Sequence, residues 1–205
     1  MFQVRRPALE IAAVVLTGAA FLVFENILER KLQFLIPCTV LWTGYLVWRL
    51  VRDRSDLRAW GLRVDNLRPA AVASLAFFAV AALGLLAWRV FRGWRPLPAS
   101  SIVVFALYPV WGFIQQFVVQ GLVAGNLRKL GARPAVVVPV AAVLFGLAHL
   151  PDLPLACLCA AAGVVWTILF LRTPNLIPLA FTHAWLGTLA YYWVLERDPW
   201  REMFP

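Results

Sequence analysis

Long, continuous apolar segments limit this chain to very few folds. Seven segments can be drawn, each roughly the ~20 residues that a helix needs to cross ~30 Å of hydrocarbon. Transmembrane β-strands would instead alternate apolar and polar residues over ~10 positions. The pattern therefore predicts an all-α, polytopic transmembrane bundle of about seven helices, covering residues 8–27, 33–50, 69–90, 101–127, 134–150, 153–171 and 175–195.

The composition indicates the same class of protein. Of the 205 residues, 62% are hydrophobic and 14% charged, and the mean hydropathy is +0.79. A soluble domain with so few polar residues could not cover its own core. The first apolar segment lacks a small-residue cleavage site after a short core, so it is interpreted as a retained helix. We expect residues 1–205 to form a single integral membrane domain.

The positive charges predict an orientation. The net charge is +9, and most arginines flank apolar segments, which suits lipid headgroups better than nucleic acid. With the N-terminus in the cytoplasm, 12 of the 19 lysines and arginines lie on that side. This bias predicts a cytoplasmic N-terminus and a cytoplasmic 52–68 loop, which contains Arg54, in the plasma (inner) membrane of a bacterium. Residues 52–69 are interpreted as an amphipathic segment on the membrane surface.

Five polar side chains interrupt the later apolar segments. Gln116 and Gln120 are four positions apart and share one helix face. Burying an unpaired amide costs about 1–3 kcal/mol, so these side chains need partners from other helices. Hydrogen bonds that merely join helices are one explanation. The alternative is a polar pocket inside the membrane that brings together the amides and both histidines of the chain, Gln115, Gln116, Gln120, His149 and His183.

The order of these residues resembles a known family. Gln115-Gln116-x-x-x-Gln120 is followed by Phe145-x-x-x-His149 in the string LFGLAHLPD, and then by His183-x-x-x-Gly187 after RTPNLIPLAFT. The set is similar to the CPBP family, also called the Abi or CAAX protease-like family, of intramembrane glutamic endopeptidases. The resemblance covers residues 56–193, with its motif core at 108–193. It implies hydrolysis of peptide bonds near hydrophobic or prenylated C-termini.

Four positions depart from the family pattern. The family has glutamates where this chain has Gln115 and Gln116, an arginine at Gln120, and Asn or Asp at Gly187. An amide cannot take a proton from water, and general-base catalysis is typically worth ~10²–10⁴ in rate. The missing oxyanion donor at position 187 would cost a further ~10²–10³. With these residues at the family's catalytic positions, the protein is therefore expected to hydrolyse peptides very slowly or not at all.

Substitute groups and other functions remain open at this point. Either histidine could act as a base, and Asp152, three positions after His149, could orient it or supply a carboxylate. The alternative function is an inactive pseudoprotease that binds hydrophobic peptides or lipidated tails as a membrane scaffold. A small transporter has only the polar pocket in its favour. Neither a metal nor another cofactor is predicted, nor is nucleic acid as a partner; membrane lipids are expected partners.

The depth of His149 is the one inconsistency in the predicted pocket. At ~1.5 Å per residue, His149 lies ~24 Å from Arg133, whereas Gln116 lies ~18 Å from Arg128. His149 would then be too far across the membrane to meet the glutamines. A fifth helix that begins near Pro139 would remove the difference.

Overall fold

The computed structural model describes residues 2–53 and 55–203, with side chains described from residue 5 and not at residue 56. Arg54, used above to place the 52–68 loop, lies outside the described residues. A π-helical segment, Phe117–Ala124, joins two helices into one continuous rod. The α-helices are α1 (Phe2–Asn26), α2 (Lys31–Arg52), α3 (Ser55–Ala59), α4 (Leu67–Phe91), α5 (Ser100–Gln116), α6 (Gly125–Lys129), α7 (Pro134–Leu147), α8 (Leu153–Arg172), α9 (Leu176–Trp193) and α10 (Pro199–Met203).

The predicted all-α bundle is confirmed. Each of the seven apolar segments coincides with a long helix or with the rod Ser100–Lys129. Among the described residues, five helices are long and apolar enough to cross a membrane, namely Arg5–Asn26, Lys31–Arg52, Leu67–Phe91, Ser100–Lys129 and Leu153–Arg172. The other two apolar helices are α7, which is shorter, and α9. Helix α9 carries buried residues around its circumference and packs against α4 and α5, so its polar side chains face protein.

Contacts between helix ends divide the bundle into two faces. On the first, here the Asn175 face, the Asn175 amide donates to the carbonyl of Arg63, 2.8 Å away. On the second, the Asp198 face, the Ser100 hydroxyl donates to the Asp198 carboxylate across 2.6 Å. Successive helices run between the two faces in alternating directions. The assignment of the Asn175 face to the cytoplasm remains a prediction from the charges.

The connection between α2 and α4 enters the bundle as well as lying on its surface. Trp60 is 1% exposed, and its ring packs edge-on against Phe117, with 5.1 Å between ring centroids. Gly61 follows with φ = +75°, and a β-carbon there would lie 2.9 Å from the backbone nitrogen of Asn175. Only glycine fits such a backbone and such a close approach. The predicted surface segment therefore also anchors the π-helical segment from one side.

A small-residue contact sets the spacing between α5 and α9. A β-carbon on Gly112 would lie 3.1 Å from the carbonyl oxygen of Ala180 and 3.3 Å from the side chain of Ala184. Small residues let transmembrane helices approach closely. Because Gln116 follows Gly112 by about one helical turn, this contact brings Gln116 within reach of α9.

Candidate functional site

The central contact of the site joins Gln116 to His183. Gln116 is the last residue of α5 and His183 lies in the middle of α9; they are 1% and 3% exposed. The Gln116 amide nitrogen donates a hydrogen bond to His183 Nδ1 across 3.1 Å. Since Nδ1 accepts this bond, the neutral imidazole carries its proton on Nε2. The side chain at position 116 thus acts as a donor here, which a carboxylate could not do.

Aromatic rings enclose the His183 imidazole. Trp166 of α8 lies against it with 4.8 Å between ring centroids and planes tilted by 33°. Phe145 of α7 meets it edge-on at 5.3 Å, and Tyr108 of α5 at 6.1 Å. Sequence reasoning missed Trp166 and Tyr108 because neither has a distinctive spacing in a chain with ten tryptophans and many other aromatics. The enclosure holds the imidazole in one orientation in an apolar environment.

His149 also contacts the Phe145 ring. Helix α7 begins at Pro134 rather than near Pro139, so His149 falls in the turn after the helix. Its ring is 5.0 Å from that of Phe145, and its Nδ1–H donates to the Phe145 carbonyl across 2.8 Å. This bond leaves Nε2 with a lone pair. The suggested helix start near Pro139 is therefore wrong, and the Phe145 ring nevertheless contacts both imidazoles.

Gln115 faces a separate apolar cavity of about 280 Å³. The cavity lies between the α1–α2 pair on one side and α5, the π-helical segment and α7 on the other. Gln115, Phe145 and Val118 are among its lining residues. The Gln115 side-chain oxygen is buried and has no hydrogen-bond partner among the described residues. An apolar ligand with one polar group would match this cavity in chemistry.

Gln120 lies in the π-helical segment, which begins directly after Gln116. The amide of Gly125 donates to the carbonyl of Gln120, five positions earlier, so the backbone here is wound more loosely than an α-helix. Gln120 is 1% exposed, and neither of its amide atoms has a hydrogen-bond partner among the described residues. π-segments of this kind are frequent at functional sites.

At Gly187 the space for a side chain is already filled. A β-carbon built there would lie 3.0 Å from Cε1 of Tyr108 and 3.5 Å from its hydroxyl oxygen. A contact of 3.0 Å is tighter than nine in ten real β-carbon contacts, so the Tyr108 ring would have to shift by a few tenths of an ångström. The Tyr108 hydroxyl thus lies beside the position from which the family residue would extend. Position 187 thus lacks a side-chain donor, and the Tyr108 ring lies where such a side chain would begin.

Asp152 has a structural role. It is the N-cap of α8, where its carboxylate accepts from the backbone amide of Leu155 at 3.0 Å. The same carboxylate forms an ion pair with Arg197. No described carboxylate hydrogen-bonds to either imidazole. Within the described ranges, no three His, Cys, Asp or Glu side chains are arranged so that they could bind a metal ion. From its spacing in the sequence, Asp152 could orient His149 or supply a carboxylate beside it, but the two side chains do not hydrogen-bond to each other.

A comparison with protein families finds one match to part of the chain. Residues 96–189 match the family described as Rce1-like, type II CAAX prenyl endopeptidase Rce1-like. No curated protein and no solved structure matches the chain significantly. The matched range contains α5, the π-helical segment, α7, α8, most of α9 and both histidines. The resemblance inferred from the motifs is therefore confirmed over residues 96–189, which are similar to this CAAX protease-like family of membrane proteins.

Proposed function

We propose that the protein holds a hydrophobic or lipidated C-terminal segment within the membrane and does not hydrolyse it. The observation that carries the proposal is the hydrogen bond from Gln116 to His183. A peptidase of this family needs a carboxylate at this position to take a proton from water. Here the amide donates to the imidazole instead, and both groups remain neutral.

The surroundings of this contact also disfavour hydrolysis. A general base must have a basic lone pair within hydrogen-bonding reach of the attacking water. The amides of Gln115 and Gln116 have none, and no described carboxylate bonds to His149 or His183. Loss of the general base alone typically lowers the rate by ~10²–10⁴.

Binding is supported by the apolar cavity beside Gln115. Its volume of about 280 Å³ is close to the lower end of the ~300–1,000 Å³ typical of small-ligand sites. Its lining is apolar apart from a few groups, and the unpartnered Gln115 oxygen could accept a hydrogen bond from a peptide N–H. A lipidated C-terminal residue has both an apolar chain that would fill the cavity and a backbone N–H that would bond to this oxygen.

The test measures binding and cleavage on the same sample. Purified full-length protein is titrated with a fluorescent peptide that carries a farnesylated C-terminal cysteine, and with the same peptide without the lipid. We expect saturable binding of the lipidated peptide only, and mass spectrometry should recover it intact. Cleavage by the wild type that disappears in His149→Ala would overturn the proposal and assign the base to that imidazole.

A matched pair of variants places the ligand. Val118→Trp fills the cavity, whereas Val110→Trp adds the same bulk to an exposed position of the same rod, where the side chain is 67% exposed. We expect Val118→Trp to weaken binding at least tenfold and Val110→Trp to leave it unchanged. Equal affinities would show that the peptide binds elsewhere.

A further inference from the structure

A second and larger groove lies between α1 and α2, on the outside of the bundle. Its volume is about 840 Å³, within the ~300–1,000 Å³ range of small-ligand sites. Leu9, Leu16 and Leu41 line it and are 68%, 69% and 72% exposed. Both helices are long and apolar enough to span a membrane, so the groove opens toward hydrocarbon. Membrane lipid therefore has direct access to it.

The groove is polar at one end only. Glu10 lies at that end, buried, and accepts from the Asn126 amide at 2.6 Å, from Arg6 at 3.1 Å and from Arg49 at 3.3 Å. The Tyr45 hydroxyl also donates to it. With these four donors the charge of Glu10 is already compensated. A ligand at this end would meet the remaining positive charge.

Over the side chains that the structure describes at this end, the net charge is +2. The described arginines at this end of α1 and α2 are Arg5, Arg6, Arg49 and Arg52, and the described carboxylates are Glu10 and Asp53. Asp53 accepts from the backbone and hydroxyl of Ser55. The Arg52 guanidinium lies over the ring of Trp48, which lines the groove, at 5.3 Å. This excess favours an anionic headgroup.

The length of the groove matches one lipid chain. Its lining residues on α1 extend from Arg6 and Glu10 to Phe24. The 14 positions from Glu10 to Phe24 correspond to ~21 Å of helix. One leaflet occupies about half of the ~30 Å hydrocarbon thickness, so the groove can hold a chain across its full depth. The apolar residues along the groove would contact an acyl chain, and the arginines at its mouth would contact a charged headgroup.

We propose that this groove binds one anionic phospholipid. The phosphate contacts Arg6 and Arg52 at the mouth, and one acyl chain lies along α1 and α2 toward Phe24. Basic pockets between transmembrane helices are known to bind anionic headgroups in this way. The groove shares Thr17, Cys38 and Trp42 with the cavity beside Gln115, so the bound chain would form part of the outer wall of that cavity.

The test is competition between two lipids. Delipidated full-length protein in detergent is mixed with equimolar phosphatidylglycerol, which is anionic, and phosphatidylcholine, which is zwitterionic, with matched chains. Native mass spectrometry counts the bound lipids. We expect one tightly bound phosphatidylglycerol per chain. Each of Arg6→Gln and Arg52→Gln should weaken its retention about fivefold, the equivalent of ~1 kcal/mol per arginine.

Matched variants separate the groove from the rest of the surface. Arg133→Gln removes an exposed arginine from the loop before α7, away from the groove, and should leave retention unchanged. Ala13→Phe fills the groove, whereas Ala12→Phe adds the same ring outside it. Equal retention of the two lipids, or equal effects of the members of either pair, would overturn the proposal. So would a dimer that Ala13→Phe dissociates, because the groove would then be an interface between two copies.

Discussion

Gln116 donates to Nδ1 of His183 across 3.1 Å, although the two residues are 67 positions apart in the chain. The bond requires a neutral amide on one helix and a neutral imidazole on the other. Glutamate at position 116 could accept a proton from the imidazole but could not make this bond. The site is therefore arranged around two uncharged groups buried in the membrane.

Gln116→Met should destabilise the protein. It keeps the length of the side chain and removes the donor, so His183 Nδ1 is left buried without a partner, at a cost of about 1–3 kcal/mol. A chain of this size loses roughly 2–4 °C of melting temperature per kcal/mol. Thermal unfolding in detergent measures this loss. The control is Gln115→Met, whose amide oxygen has no partner among the described residues, and equal melting temperatures would contradict the prediction.

Gly187→Ala should destabilise the protein, because the new methyl group would lie 3.0 Å from the ring of Tyr108 and force this ring to shift. Overpacking of this kind typically costs 1–3 kcal/mol. Gly84→Ala is the control, since a β-carbon there has no atom within 4 Å. It should be neutral or slightly stabilising, because alanine favours a helix over glycine.

A double-mutant cycle tests the overlap directly. Tyr108→Ala should rescue Gly187→Asn, so that the double variant is more stable than the sum of the single changes predicts. Unfolding temperatures of the four proteins give the coupling energy. Strict additivity would show that Tyr108 does not occupy the volume needed at position 187.

Restoring the family residues should move the site toward hydrolysis. Gln115→Glu, Gln116→Glu and Gln120→Arg together supply a general base and a cation beside it, worth about 10²–10⁴ in rate. The arginine is required because an isolated buried carboxylate would stay protonated. The measurement is turnover of a farnesylated reporter peptide by wild type and triple variant.

The controls for this restoration use the histidines. Adding His183→Ala or His149→Ala to the triple variant should return turnover to the wild-type level. Gln120→Arg alone should lower the melting temperature, since it introduces a charge into the membrane interior without a partner. A triple variant no faster than wild type would show that the amides are not what prevents hydrolysis.

The Asp198 face should weaken in acid. The Arg89 guanidinium hydrogen-bonds to Glu196 at 2.9 Å, and this bond, together with the charge of Arg95, lowers the pKa of Glu196 below its ordinary value of 4.5. The folded state therefore holds the deprotonated form more strongly than the unfolded state does. This stabilisation is complete above about pH 4.5 and is lost as the pH falls through the lowered pKa.

Melting curves between pH 3 and pH 7 measure this loss. Glu196→Gln should lower the melting temperature at pH 7 and reduce its pH dependence below pH 4.5. Glu29→Gln, at an exposed position on the same face, should leave the pH dependence as in the wild type. If both variants keep the same pH dependence, the Arg89–Glu196 pair does not contribute to it.

Labelling of single cysteines should settle the orientation. With Cys38, Cys157 and Cys159 replaced by alanine, Arg58→Cys reports on the Asn175 face and Arg95→Cys on the Asp198 face. The excess of arginines predicts that a membrane-impermeant reagent labels only Arg95→Cys in intact cells. Labelling of Arg58→Cys alone would reverse the orientation.

The sequence predicts the helices well because each helix depends on a local property. Each of the seven apolar segments forms a helix, and the predicted bounds agree with the observed ones to within a few residues except at the start of α1, which lies at Phe2 rather than at residue 8. The family was likewise predictable, because ordered motifs keep their spacing within one helix. His183 and Gln116 could be proposed as partners since each is a polar group in an apolar segment.

The remaining features of the site depend on packing between helices. The backbone of Phe117–Ala124 is π-helical, and no local pattern in the string FVVQGLVA indicates it. The ring of Phe145 contacts both imidazoles, although His149 lies two residues beyond the end of α7. Tyr108 occupies the space beside Gly187 from a different helix. Each of these outcomes requires the distance between two helices, which one sequence does not contain.

The insertion of Trp60 has a consequence for biosynthesis. The backbone amide of Leu176 donates to the carbonyl of Gly61, and the side chain of Asn175 bonds to Arg63, 112 positions away in the chain. At ~5–20 residues per second, a ribosome needs roughly 6–22 s to synthesise that interval. Trp60 can pack against Phe117 as soon as the rod Ser100–Lys129 is made, but until α9 emerges the carbonyls of Gly61 and Arg63 lack these two bonds. Nascent chains that stall before residue 175 would therefore carry an α2–α4 connection held at its Trp60 side only.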